Sequence, residues 1–241
     1  MKFLTEKKKL FALIAMICLA LTLVYNVIAA CAGAISSLGS MFYNFRSFLV
    51  NFVSLITIGI GLLTVLCYVA GAFLVWKKDD HMKILGLGGV ISIIALFMGL
   101  VSYLVSSITY DYFTFGIFLT TILDCFLPCL FAAYLIVFSL IKMKGPVVPI
   151  IGAVLVVLLC GSSIIGVFSQ TISNIIHLFD YFSWGIVWNT IVMIFHNFIN
   201  LIQNVGLLLL VPVAFYIPKE EEVVVAEVIE EAVIEETPAA E

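Results

Sequence analysis

The chain has 241 residues, of which 64% are hydrophobic and 11% are charged, and its formal net charge is -4. Because a soluble domain carries about 25% charged residues, this composition excludes a water-soluble fold and predicts an integral membrane protein with the lipid bilayer as its main partner. Nine of the fifteen acidic residues lie in the last segment, from Glu220 to Glu241. The remainder is mildly basic without a concentrated basic patch, and we therefore expect no nucleic-acid partner.

The N-terminus combines a basic segment, residues 1–9, with a long apolar run. Lys7–Lys9, the run and the sequence from Ile28 to Cys31 resemble a lipoprotein signal, whose cleavage would leave five spans and a lipidated Cys31. However, the apolar run is longer than the core of about 7–15 residues in a signal peptide and can itself span a membrane. We expect it to be retained as the first helix, with cleavage as the alternative.

Six apolar runs are long enough to cross a membrane. They are residues 10–32, 52–76, 84–108, 115–141, 147–168 and 186–216. Each reaches the roughly 20 residues that a helix needs to cross about 30 Å of hydrocarbon, and none is a short alternating segment typical of barrel strands. The sequence therefore predicts an all-α integral membrane protein with a six-helix membrane domain over residues 10–217.

The basic residues predict the orientation of these helices. Ten of the eleven Lys and Arg residues lie on one side of the six runs, and Arg46 is the exception. The ten are Lys2, Lys7, Lys8, Lys9, Lys77, Lys78, Lys83, Lys142, Lys144 and Lys219. Since short cytoplasmic loops retain Lys and Arg and translocated loops lose them, we predict that both termini are cytoplasmic, in what we expect to be a bacterial cytoplasmic membrane.

Two segments of the chain resemble each other and indicate an internal repeat. Residues 111–122 and 180–191 are identical at seven of their twelve positions, and the second begins 69 residues after the first. Each precedes an even-numbered run. We therefore predict three parallel-repeat helical hairpins, formed by runs one and two, three and four, and five and six, an arrangement known in transporters.

Small residues within the runs predict close helix packing. They occur as Ala29 with Gly33, as Gly86 with Gly88 and Gly89, and as Ser162 with Gly166.

The sixth run carries a polar face. Its members are Asn189, His196, Asn197, Asn200, Gln203 and Asn204. Their spacing keeps all six on one side of a helix, and amides facing hydrocarbon would be costly. The face has three interpretations: hydrogen bonds between helices, an amphipathic outer half lying along the membrane interface, or a polar path for a substrate or water.

Asp124 is the only carboxylate well inside an apolar run. An acidic residue at such a position is a candidate ion or proton site, although Asp124 could also reach interfacial water. His81 follows two aspartates between runs two and three, where we expect a solvated turn. The six cysteines have no disulfide or zinc spacing, and we predict no catalytic residue, no metal and no cofactor.

The tail, residues 218–241, is acidic and of low complexity. This composition predicts a disordered cytoplasmic segment. A basic protein partner suits it better than anionic lipid does.

Two functions fit these features. The first is a non-enzymatic packing, scaffold or accessory subunit. The alternative is a small-molecule transporter, or the substrate-binding subunit of an uptake system, that uses the polar face of the sixth run. Either would act within an oligomer or a transporter complex.

Overall fold

The computed structural model describes residues 7–43, 45–77, 80–141, 145–180 and 183–216, without the side chains of residues 170, 177, 178 and 180. These ranges contain the helices α1 (Lys8–Met41), α2 (Phe45–Lys77), α3 (Met82–Thr109), α4 (Phe115–Leu140), α5 (Val147–Asp180) and α6 (Trp184–Phe215). All six are long and apolar enough to cross a membrane, and the predicted all-α, multi-pass membrane architecture is confirmed at this level. The predicted disordered tail lies outside the described residues.

The two ends of the bundle differ in charge. We call the end that carries Lys9, Lys77 and Lys83 the lysine end, and the other end, where α2 begins with Phe45 and Arg46, the opposite end. Successive helices run in alternate directions between the two ends, because each helix starts at the end of the bundle where the previous helix stops.

Three helices extend well beyond the apolar runs that predicted them, and the long extensions are all at the opposite end. α1 continues to Met41, α2 already begins at Phe45, and α5 continues to Asp180. The runs stop where hydrophobicity falls, whereas the helical backbone continues through Ser, Gly, Asn and Gln residues, which cost a helix at most about 1 kcal/mol each. The bundle therefore extends furthest at its opposite end.

The six helices form a closed ring. Each helix packs against the next in sequence, and α6 returns to pack against α1. The contact between α4 and α5 is the smallest of those around the ring. A ring of six helices encloses an interior, and the way in which this interior is filled determines where a ligand could sit.

The hydrophobic core is concentrated toward the lysine end. The buried residues of α2 lie between positions 64 and 75, those of α4 between 131 and 135, and most of those of α6 between 206 and 215. Large apolar side chains in the opposite half are mostly exposed. The interior is thus tightly packed near the lysine end and less densely packed toward the opposite end.

Glycines in α3 allow its two neighbours to approach closely. A Cβ atom added at Gly89 would lie 2.8 Å from the backbone carbonyl oxygen of Ala132 in α4, and one added at Gly88 would lie 3.1 Å from side-chain atoms of α2. The close packing predicted for these glycines is confirmed. At Gly33 an added Cβ atom would make an ordinary contact of 3.4 Å with Ile58 of α2. At Gly166 nothing lies within 4 Å, so the close packing predicted for Gly166 is wrong.

His81 joins the α2–α3 connection to the end of α6. Its Nε2 atom lies 2.7 Å from the backbone carbonyl oxygen of Ala214. This carbonyl belongs to the last turn of α6, which ends at Phe215, and the last four carbonyl groups of a helix have no partner within it. The expectation that His81 is a solvated turn residue is therefore wrong: it is half-buried and caps a helix end.

Candidate ligand-binding site

A cavity of about 240 Å³ lies among five of the six helices. Its polar lining consists of Thr64 and Tyr68 from α2, Ser92 from α3, Ser163 from α5, and Asn200, Gln203 and Asn204 from α6. Apolar lining comes from Pro128, Phe131, Leu159 and Leu207. At about 30 Å³ per water molecule, this volume corresponds to roughly eight waters, or to one small organic molecule.

The geometry of α6 explains which of its amides reach the cavity. Successive residues are rotated by about 100°, so the six residues of the predicted polar face cover an arc of about 120° with Asn200 at its centre. Gln203 and Asn204 flank Asn200 and also line the cavity. The Asn204 amide lies 3.5 Å from the Ser163 hydroxyl, to which it donates.

The remaining members of the polar face lie elsewhere. The His196 Nδ1 atom is 3.3 Å from the Tyr25 hydroxyl of α1, and this contact is exposed. Asn197 lines a mostly apolar groove between α5 and α6. Asn189 is exposed near the beginning of α6. The structure thus brings three of the six predicted residues together and separates the other three.

The hydroxyl groups of the cavity were not singled out from the sequence. Tyr68 is only 3% exposed, and its hydroxyl is hydrogen-bonded to the Ser92 side chain. Thr64 lies one turn before Tyr68 on the same face of α2, and its hydroxyl donates to the Ile60 carbonyl at 3.2 Å. The signal in the sequence is the spacing of four residues between Thr64 and Tyr68 within an apolar run, which places two polar groups on one helix face.

Asp124 lies outside the cavity but on the side of α4 that borders it. Pro128 and Phe131 line the cavity, and at about 100° per residue Asp124 is within about 40° of both around the helix. It precedes Pro128 by one turn, about 6 Å along the axis. Phe126, which is 61% exposed, points in nearly the opposite direction. Asp124 itself is exposed, as are most residues of this half of α4.

The chemical character of the cavity follows from these groups. Its lining offers amide and hydroxyl donors and acceptors but no charged side chain. Within the described ranges, no three His, Cys, Asp or Glu side chains come close enough to hold a metal ion. All six cysteines are free thiols. Such a lining can bind an uncharged polar group through hydrogen bonds and can exclude larger apolar molecules.

The lining leaves hydrogen-bonding capacity unused. A side-chain amide carries two donor hydrogens and an acceptor oxygen. Within the part of the chain that the structure describes, the Asn200 and Gln203 amides make no hydrogen bond. Unsatisfied amides cost several kcal/mol away from water, so water or a ligand must occupy the space in front of them. No protein-family model, curated protein or solved structure matches this chain, and the arrangement of these residues is therefore the ground on which a function can be proposed.

Proposed function

We propose that the protein binds a small polar molecule in the cavity, as a transporter or as the substrate-binding subunit of an uptake system. The observation that carries this proposal is the position of Asn200 and Gln203, whose unpaired amides face a cavity shared by five helices. Amides that served only to join helices would be paired with other side chains. Among the three cavity amides, and counting described partners, Asn204 alone makes such a contact, through Ser163, and it is long at 3.5 Å.

The proposal includes a direction of access. We infer that the lysine end faces the cytoplasm, since short cytoplasmic loops retain Lys and Arg. The dense core then lies on the cytoplasmic side of the cavity, and the less densely packed half connects it to the outside. A ligand would enter from the outer face. A cysteine replacing Tyr43, which is 81% exposed at the opposite end, should react with an impermeant thiol reagent in intact cells.

We also propose that the hairpins of the ring are repeats of one another. The support is local: Thr114 and Ser183 occupy equivalent positions 69 residues apart, and each is the extended residue that precedes a helix. The Ser183 hydroxyl accepts a hydrogen bond from the Gly185 backbone N–H at 3.2 Å. The two segments differ just before this point, since Asp111 has a left-handed backbone conformation, whereas Asp180 is the last residue of α5.

A packing or accessory role remains the second prediction for the function. A bacterial cytoplasmic membrane and a basic protein partner for the tail also remain predictions. A packing or accessory role does not require a polar cavity, and the two functions therefore differ in what they predict for access to α6.

Cysteine accessibility tests the proposed binding function. In a variant whose six native cysteines are replaced by alanine, single substitutions Asn200→Cys and Gln203→Cys are introduced and the protein is reconstituted in lipid nanodiscs. Both thiols should react with a water-soluble, membrane-impermeant reagent. The matched controls Phe198→Cys and Val205→Cys lie at similar depth but are 57% and 41% exposed on the outside of α6, and they should stay unmodified in lipid.

The comparison separates the interpretations of the polar face. If the cavity variants are as inert as the controls while all of them react after denaturation in detergent, the cavity is dry and the amides join helices instead. Reaction at all four positions would show that α6 lies in water along the membrane surface, which would equally contradict the proposal.

A further inference from the structure

We propose that the ligand is a small organic cation, with its ammonium group near Asp124 and its uncharged polar part against the amides of the cavity. This inference rests on the proposed binding function and adds the chemical class of the ligand. Three observations carry it: the direction in which Asp124 faces, the absence of a basic partner for it, and the aromatic rings between it and the floor of the cavity.

The first observation is that Asp124 faces the interior of the ring. It shares a face of α4 with Pro128 and Phe131, both of which line the cavity, and it lies one turn nearer to the opposite end. A carboxylate facing hydrocarbon near the middle of a membrane helix would cost at least about 2.5 kcal/mol. Facing the interior, Asp124 is instead a negative charge at the mouth of a polar cavity.

The second observation is that no described residue forms an ion pair with Asp124. Within the described ranges, the one ion pair joins Lys83 to Asp80 at 3.8 Å, at the lysine end. Among the described Lys and Arg residues, the one in the opposite half is Arg46, in the first turn of α2. It is 18 residues from Thr64, or about 27 Å along the helix. Since Asp124 lies about 6 Å nearer to the opposite end than the cavity-lining Pro128, roughly 20 Å along the bundle still separates the two charges. A cation supplied from solution would complete the site.

The third observation is aromatic. Phe131 and Tyr68 both line the cavity and are each 3% exposed. Phe131 lies two turns below Asp124, about 10 Å along α4. The faces of aromatic rings attract ammonium groups, most strongly where water is excluded. A carboxylate at the mouth with aromatic rings below it favours an organic ammonium group over a bare metal ion, since a metal ion would need a set of oxygen ligands close together.

The amides of the cavity determine the chemistry expected of the uncharged part of the ligand. Asn200 and Gln203 offer donors and acceptors in equal measure, which suits a hydroxyl or amide group attached to the ammonium group by a short chain. The cavity volume of about 240 Å³ limits the ligand to a small molecule.

The test measures whether Asp124 makes a cationic reagent react faster than an anionic one with a cysteine at position 200. The cysteine-free protein with Asn200→Cys, in lipid nanodiscs, is reacted with trimethylammonioethyl methanethiosulfonate, which is an organic cation, and with the anionic sulfonatoethyl methanethiosulfonate. The ratio of the two rate constants is compared with and without Asp124→Asn, which keeps the size of the side chain. We expect this ratio to fall about tenfold on removing the charge, the effect of one charge at 6–10 Å in a partly wet site. The same ratio at Tyr43→Cys, far from Asp124, is the control and should not change.

The outcomes distinguish this inference from the function on which it rests. If Asn200→Cys reacts with neither reagent nor with neutral maleimide, the cavity is closed and the proposed binding function fails. If it reacts but the cation preference is unchanged by Asp124→Asn, the cavity exists and the inference about its ligand is refuted. A cationic rate that rises severalfold when sodium is replaced by caesium at constant ionic strength would identify Asp124 as a sodium site, which also overturns the inference.

Discussion

The packing of α3 against α4 provides a quantitative test of the fold around the cavity. Gly89→Ala adds a Cβ atom 2.8 Å from the Ala132 carbonyl oxygen, 3.0 Å from Ile136 and 3.1 Å from Leu135. Ordinary contact begins at 3.4 Å, and the nearest atom belongs to backbone that cannot rotate away. The two helices must therefore separate by about half an ångström, and overpacking of this kind costs about 1–3 kcal/mol.

A matched control exists in the same helix. A Cβ atom added at Gly99 meets nothing within 4 Å, so Gly99→Ala changes only helix propensity, which favours alanine over glycine by about 1 kcal/mol. The same gain applies at Gly89 and partly offsets the overpacking. The free energy of unfolding should therefore be about 1–3 kcal/mol lower for Gly89→Ala than for Gly99→Ala.

The assay is reversible unfolding in mixed micelles, with the fraction of sodium dodecyl sulfate as the denaturant and tryptophan fluorescence or helical circular dichroism as the readout. Equal unfolding free energies for the two variants would refute the close approach of α3 and α4. So would a Gly89→Ala variant more stable than the native protein, because it would mean that the added methyl group meets free space.

Two further predictions concern the lysine end and use the same unfolding assay. His81→Ala should destabilise the protein by about 1–3 kcal/mol, because it removes the half-buried hydrogen bond to the Ala214 carbonyl. Asp80→Ala, which removes only an exposed ion pair, should have little effect. Tyr134→Phe removes a buried hydrogen bond from its hydroxyl to the Val148 carbonyl oxygen, 3.1 Å long, and should cost about 1 kcal/mol. A stable His81→Ala variant, or a Tyr134→Phe variant indistinguishable from the native protein, would contradict the respective assignment.

The six-helix architecture could be predicted because it depends on one physical quantity. Hydrocarbon requires about 20 apolar residues per crossing, and this requirement is visible in a single sequence. The ends of α1, α2 and α5 could not be predicted by the same reasoning. Beyond the apolar runs, backbone hydrogen bonds maintain the helix, and Ser, Asn and Gln residues change its stability by less than about 1 kcal/mol each.

The cavity was only partly predictable. The polar face of α6 could be recognised from the sequence, because six polar residues at helical spacing are unusual in an apolar run. Periodicity gives the face but not its neighbours, and so it could not separate Asn200, which lines the cavity, from His196, which contacts α1. Nor could it distinguish Gly89 from Gly99, since both are glycines of one helix and differ only in what lies opposite to them.

The contact between α1 and α6 also constrains how the molecule assembles. The ring joins the first helix to the last, and the cavity is not complete until α6 is in the membrane. During synthesis α1 must wait in lipid, with its surface for α6 unoccupied, while the intervening helices are inserted. A nascent chain interrupted before α6 would lack both the partner of α1 and the amides of the cavity. The contact between α1 and α6 therefore forms only after the whole membrane domain has been synthesised.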